Sequence, residues 1–262
     1  MHTCEQLRQD LLNLGIYPGM SLLMHSSYKS LGGIEGGAGA FFETLLDVIT
    51  PEGNLIVPSM SFSTVTRENP YFDIRTTPSC VGYLTEYFRT SVPGAKRSFH
   101  PTHSCCAIGK DADWLIEGHE LDNTPVGEHS PFHKLPKLNG WILFLGCSWD
   151  RNTSMHGVEE IAKPPFFLDY DHPLKYTMTN WDGSEYIQPA SLRHYFHRAD
   201  IDHEQIYSRV VDLLEGEDEV RFGKILDADC ALLYAPAVWK KGTEKMIAEP
   251  YYFVNVVIPP KQ

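Results

Sequence analysis

The 262 residues contain no C-x-x-C pair, no internal repeat and no low-complexity tract. Six cysteines, Cys4, Cys80, Cys105, Cys106, Cys147 and Cys230, are scattered without the short spacings of a zinc site. They read as reduced thiols, not as a disulfide or metal framework. No apolar run approaches the roughly 20 residues that a membrane-spanning helix needs, so a membrane partner is not expected. Residues 1–10, MHTCEQLRQD, lack the basic n-region and apolar h-region of a secretory signal, and the expected compartment is the cytoplasm. Basic residues are scarce: 22 Lys and Arg against 34 Asp and Glu give a net charge of −12. That balance repels a phosphate backbone, which argues against nucleic acid as a partner and permits a cationic small molecule.

What is present is material for a sizeable core, 42% hydrophobic and 12% aromatic, well outside the composition of disordered chains. At roughly 100–200 residues per domain, a single domain over residues 1–262 is expected. Leu7, Leu11, Leu12 and Leu14 recur at near-helical spacing, Tyr17-Pro18-Gly19 breaks the pattern, and Leu22-Leu23-Met24 reads as a strand. A second helix is predicted from about Ala38 to Thr50, a buried strand at Leu55–Val57, and a third helix starting near Ser79. A short strand near Cys105–Ile108 follows, Ser130-Pro131 looks like an N-cap with proline at the first helical position, and Trp141–Leu145 is the clearest buried strand. Beyond Pro164-Pro165 the pattern is less regular. Tyr176–Met178 and Tyr186-Ile187 suggest a hairpin, His203–Leu214 a helix, and Tyr251–Ile258 mixes helical and strand signals. The alternation predicts an α/β protein, layered α/β/α around a central mixed sheet.

Three stretches combine chemistry-bearing residues. The loop from His25 to Gly37 leaves a strand, carries serines and glycines, and enters a helix. Backbone N–H groups at such a helix start suit a phosphate or pyrophosphate, with Lys29 as a cation; alternatively the glycines simply make the turn. The second stretch, Arg97–Ser104, holds His100 and His103 on a loop. The third runs from Gly146 to Glu160 after the most buried strand, where ligands of α/β proteins bind. If Ser154 onward is helical, His156 and Glu159 share a face, and the carboxylate can hold the imidazole in one tautomer, as a general base requires. Gly146-Cys147-Ser148 resembles a nucleophile elbow in outline but lacks the second glycine of G-x-S-x-G.

Taken in order, His25-Ser-Ser-x-x-Ser-Leu-Gly-x-x-x-Gly-Gly37, Arg97-Ser-x-His-Pro-x-x-Ser104 and Gly146-x-x-x-Asp-x-Asn-Thr-Ser-x-His-x-x-Glu159 resemble the aminoglycoside 3-N-acetyltransferase family of acetyl-CoA-dependent enzymes. The resemblance spans about residues 5–165, and the region from about 166 to 262 is expected to complete the fold and the acceptor site. It implies His156 as base with Glu159 as its acidic partner. It implies a coenzyme site at His25, Ser26, Ser27, Lys29, Ser30, Leu31 and Gly32, with Arg97, Ser98, His100 and Ser104 as a second lining motif. Asp150, Asn152 and Thr153 are expected on the substrate side. Acetyl-CoA is then the co-substrate, no metal is expected, and the partner is a small, cationic primary amine, an aminoglycoside being one candidate; self-association stays open. Gly157-Val158 and Glu160–Pro165 depart from the sequence expected after the histidine in resistance enzymes. Two rival readings are a metal-dependent hydrolase built from His100, His103, His156 and Glu159, and a catalytically silent CoA-binding protein.

Overall fold

Thr3 opens the first helix with a capping box: its hydroxyl accepts the Gln6 N–H while the Gln6 side chain accepts the Thr3 N–H. The computed structural model describes residues 1–168, 170–192 and 202–256. Its first half runs α1 (Cys4–Asn13), β1 (Ser21–Ser26), a 3-10 turn at Tyr28–Leu31, α2 (Gly37–Ile49), β2 (Asn54–Pro58), β3 (Tyr71–Asp73), α3 (Tyr83–Ser91), β4 (Lys96–Arg97), β5 (Cys105–Gly109) and α4 (Ala112–Ile116). Then come α5 (Pro131–Lys134), β6 (Trp141–Leu145), α6 (Met155–Ala162), β7 (Leu174–Thr179), β8 (Glu185–Ala190) and β9 (His203–Gln205). A 3-10 helix at Tyr207–Leu213, β10 (Val220–Ile225), β11 (Ala228–Tyr234), a long helix at Ala235–Ala248 and β12 (Val254–Val256) complete the described chain. No helix among the described residues is long and apolar enough to cross a membrane.

Seven strands form the central mixed sheet in the order β10-β11-β6-β1-β2-β5-β4. Strand periodicity builds the layers. Leu22, Met24, Leu55, Val57, Leu143 and Leu145 point to one face and meet Leu7, Leu11, Phe41, Phe42 and Phe88 of α1–α3. Leu23, Ile56, Ile142 and Phe144 point the other way, onto Leu115, Phe132, Met155, Val158 and Val238. Each such side chain contributes about 1.5–3 kcal/mol on burial, so the three-layer α/β/α arrangement follows from the alternation. Val65, Phe72, Ile74, Phe99, Tyr176 and Met178 form a smaller cluster beneath the three-stranded sheet β3-β7-β8.

The topology decides where a site can form. β1 pairs in parallel with both β2 and β6, so the carboxyl ends of all three open on one edge of the sheet. β5 runs antiparallel to β2, so the loop that precedes β5, ending at Ser104, arrives at that same edge.

Three expectations shift. The third helix starts at Tyr83, not near Ser79, because Ser79 folds back outside it: its N–H donates to Glu86 and its hydroxyl pairs with Thr85. Arg97, the first residue of the stretch read as loop, joins the sheet together with Lys96, against Cys106 and Ala107. The stretch His203–Leu214 is no α-helix: His203–Gln205 pairs antiparallel with Val254–Val256 and a 3-10 helix follows. The expected strand signal at Tyr251–Ile258 is met by β12, its last two residues lying outside the described ones.

Candidate active site

The loop after β6 passes Ser148–Ser154 and turns directly into α6, which presents His156 and Glu159 on one face. Nδ1 of His156 lies 3.0 Å from Oε2 of Glu159, whose side chain is 1% exposed. Held by a carboxylate, Nδ1 carries the proton and the basic lone pair sits on Nε2. A third group comes from the far end of the chain. The Tyr207 hydroxyl donates to Oε1 of Glu159 at 2.8 Å, lies 3.3 Å from Nδ1 of His156, and accepts from the Gln205 amide. Burial, then the Glu159 charge, push the Tyr207 phenol well above its ordinary value, so it remains a neutral donor. The next residue anchors the same loop: the Ser208 N–H donates to Asp150 at 2.8 Å. Burial alone would raise the Asp150 carboxyl, but hydrogen bonds from Ser208 and Ser148 hold it below its usual value.

His156 stands between two cavities. One, of about 480 Å³, lies over the strand ends and is lined by His25, Ser26, Met60, Asp150, Asn152 and Thr153 among others. The second, of about 460 Å³, extends toward β7 and shares Phe62, His103, His156 and Gln205 with the first. Two separate molecules can thus approach one imidazole from two sides.

Of the first-loop residues, His25 and Ser26 line the larger cavity and the others do not. His25 stacks on Phe144, ring centroids 5.1 Å apart, and burial drives its pKa down to about 3, so it is a neutral ring. Ser27 donates its N–H to Leu145, and Ser30 its hydroxyl to the Gly146 carbonyl, tying β1 to the loop after β6. Leu31 is core, and Lys29 is exposed. Gly32 makes the turn: its φ is +74° and a Cβ there would lie 1.8 Å from Asp227.

Arg97, Ser98, His100 and Ser104 are all buried and stand behind the wall of the larger cavity instead of on it. Arg97 donates to Ser104 and to the carbonyls of Ser59, Ile74 and Thr77, and burial lowers its pKa to about 10. Nδ1 of His100 accepts the N–H groups of Thr102 and His103, and Nε2 meets the Thr124 carbonyl at 3.1 Å; burial lowers its pKa to about 3. These residues hold the loop that carries His103, and His103 is the member that reaches both cavities. The metal-hydrolase alternative fails on the same geometry, because both His100 nitrogens are engaged by backbone. Among the described residues no group of three or more His, Cys, Asp or Glu is arranged to hold a metal.

Asp150, Asn152 and Thr153, expected on the substrate side, line the cavity that also holds His25 and Ser26. At the elbow the Ser148 hydroxyl donates to Asp150, and burial pushes the Cys147 thiol up to about 11, which favours the protonated thiol over the thiolate. Sequence reasoning misses Gln205 and Tyr207, since a stretch read as helix offers no signal for two side chains reaching a dyad some fifty positions earlier.

The family model for aminoglycoside 3-N-acetyltransferases matches residues 23–247. An aminoglycoside N(3')-acetyltransferase-like protein, YokD, of Bacillus subtilis is 30% identical over 250 residues, 88% of this chain and 87% of that one. The structure of aminoglycoside acetyltransferase AAC(3)-IVa in complex with a gentamicin superposes with a TM-score of 0.78 at 27% identity, covering 98% of this chain and 92% of that one. A binary complex of AAC-IIIb with CoASH shares the fold, with a TM-score of 0.76 at 23% identity over 94% of this chain and 96% of that one.

Proposed function

The chain belongs to the aminoglycoside 3-N-acetyltransferase family, and from that premise we propose that it moves the acetyl group of acetyl-CoA directly to a primary amine of a small molecule, with His156 as general base. The observation that carries this reading is the His156–Glu159 pair between two cavities. The thioester end of acetyl-CoA is assigned to the cavity with His25, Ser26, Asn152 and Thr153, and its diphosphate to the glycine-rich loop before α2, a setting suited to anions.

The amine arrives protonated. Nε2 of His156 removes a proton, the nitrogen attacks the thioester carbonyl, and the C–S bond breaks as the tetrahedral adduct collapses. The departing thiolate takes the proton from His156, and the second proton lost by the adduct nitrogen passes to solvent, leaving an amide, free CoA and one released proton. Glu159 supports the imidazolium while it exists, and Tyr207 keeps that carboxylate facing the ring. General-base catalysis of this kind contributes about 10²–10⁴ in rate, and no acyl-enzyme is needed. The six thiols, none of them in a disulfide, accord with a cytoplasmic setting.

The test is an amine panel, gentamicin included, supplied with acetyl-CoA and read by free-thiol release. CoA alone should raise the thermal midpoint, as any ligand selective for the native state does. Turnover with at least one amine is the expected result. Tight CoA binding without turnover on any amine would leave the silent-binder reading in its place.

A further inference from the structure

Granting the acetyl-transfer reading, we propose that His103 is a second catalytic histidine, which takes from the adduct nitrogen the proton that His156 cannot hold and hands it to solvent. The need follows from the proton count. An ammonium nitrogen sheds two protons on its way to an amide, and His156 is occupied by the first until the thiolate leaves. The second must pass to another group at the same nitrogen while the first is still stored. It leaves the nitrogen as the adduct forms, the C=O bond is then restored, the C–S bond breaks, and the thiolate takes the proton kept on His156.

His103 is placed for that step. It lines both cavities, as His156 does, and the two rings meet edge to face with centroids 5.7 Å apart. A nitrogen held where the cavities join therefore has an imidazole on each of two sides. The loop fixes the second ring: the His103 N–H donates to Nδ1 of His100 at 2.9 Å, and the Thr102 hydroxyl lies 2.7 Å from Nδ1 of His103. A hydroxyl both donates and accepts, so Thr102 serves either tautomer and the exchange falls to Nε2. Glu159 puts a negative charge behind His156 and favours its imidazolium. Thr102 is a neutral partner, so a proton on His103 is held less firmly and moves on. It does not move inward. His100, its ring centroid 5.9 Å from that of His103, is kept near pKa 3 by burial. His119, stacked on His100 at 4.7 Å, is driven well below its ordinary value by burial and then by the charges of His100 and His103. Phe62, tilted against the His103 ring, is half exposed, and solvent is reached on that side. Among the described residues, the charged side chains lining the cavities are Asp150, Arg151 and Arg67. With Glu159 their charges sum to zero, so neither imidazolium faces a net positive wall.

The experiment uses the full chain with acetyl-CoA and gentamicin, or the amine of the panel that turns over fastest. His103→Gln and His103→Ala are first checked for folding and CoA binding by thermal midpoint. Below the pKa of the acceptor amine both should lose about tenfold or more in kcat, since general-base steps contribute about 10²–10⁴ and water replaces part of that. Imidazole in the buffer should restore His103→Ala in proportion to its concentration and leave the wild type unmoved. Raising the pH above the amine pKa should shrink the loss to within about twofold, because a neutral amine has a single proton to shed. A kcat near wild type at every pH, a loss that imidazole does not relieve, or a loss constant with pH overturns the proposal and leaves His103 a packing residue. If His103→Ala does not fold, the pH dependence of His103→Gln decides. These outcomes leave the acetyltransferase reading standing, whereas no thiol release by the wild type from any amine and no stabilisation by CoA would sink both.

Discussion

Tyr207→Phe removes one oxygen from the centre of the site and leaves the aromatic ring, whose centroid lies 5.5 Å from that of His156. The lost hydroxyl donates at 2.8 Å to a carboxylate that is 1% exposed, so water cannot simply replace it. A hydrogen bond to a charged group is worth about 1.5–3 kcal/mol, and that is the expected loss of folding stability in urea. Catalysis feels only the part that keeps Glu159 aimed at Nδ1 while His156 is charged. If half is transmitted, about 1 kcal/mol, kcat falls roughly five- to tenfold, while CoA binding by thermal shift is unchanged. Because burial raises the Tyr207 phenol above 10 in the fold, its neutral form adds stability that is fully present below pH 10 and is lost as pH rises through the folded value. The advantage over phenylalanine should therefore persist across the assay range. A phenylalanine variant with wild-type kcat, or one that loses CoA affinity in step with kcat, would refute the positioning role.

His156→Ala should lower kcat by at least about 10² with CoA binding retained, and Glu159→Gln should cost less, because the imidazole stays; turnover by the alanine variant within a few-fold of wild type would end the general-base assignment. Ser148→Ala and Cys147→Ala should keep most activity, and mass spectrometry should find no acetylated enzyme when acetyl-CoA is given without amine; an adduct chased off by amine would revive the covalent route. His25 and His100, each held near pKa 3 by burial, bind protons only on unfolding. The stability they provide is complete above about 6.5 and is lost as pH falls toward 3, at up to about 1.4 kcal/mol per pH unit for each, so urea midpoints should drop between pH 7.5 and 5. A Cβ at Gly157 would lie 2.0 Å from the Trp239 ring, so Gly157→Ala should part α6 from the long helix and cost about 1–3 kcal/mol; an unchanged thermal midpoint would contradict that packing.

The Gly157 contact also bears on the departure from the resistance-enzyme pattern after the histidine. Gly157 and Val158 face the long helix, where Trp239 and Gly242 receive them. The packing accounts for glycine there without reference to the acceptor. Much of the fold was legible for a related reason. β1, β2, β5 and β6 carry their own apolar runs, and α1 and α2 their own apolar stripes, so local pattern and final burial agree. The misread elements are those whose state depends on a distant partner. His203–Gln205 is a strand because Val254–Val256 lies beside it, and nothing within the segment announces that.

The candidate site divides along the same line. His156 and Glu159 can be paired from sequence because a helix brings positions three apart together, and the structure holds them at 3.0 Å. The second motif is readable as a loop near the site but not as a scaffold. Whether His100 meets a ligand or a backbone N–H depends on the turn at Thr102 and His103, which residue type alone does not encode. Arg97 shows the same limit: a guanidinium in a motif suggests an anion, yet here its donors are taken by Ser104 and three carbonyls. Tyr207 and Gln205 reach the dyad from a distant part of the chain: Gln205 ends β9, which pairs with Val254–Val256, and Tyr207 opens the 3-10 helix that follows. The base and its carboxylate are therefore local products of one helix, while the hydroxyl that orients the carboxylate is a product of the whole fold. A truncation that spared every motif would leave His156 and Glu159 paired and Glu159 without its buried donor.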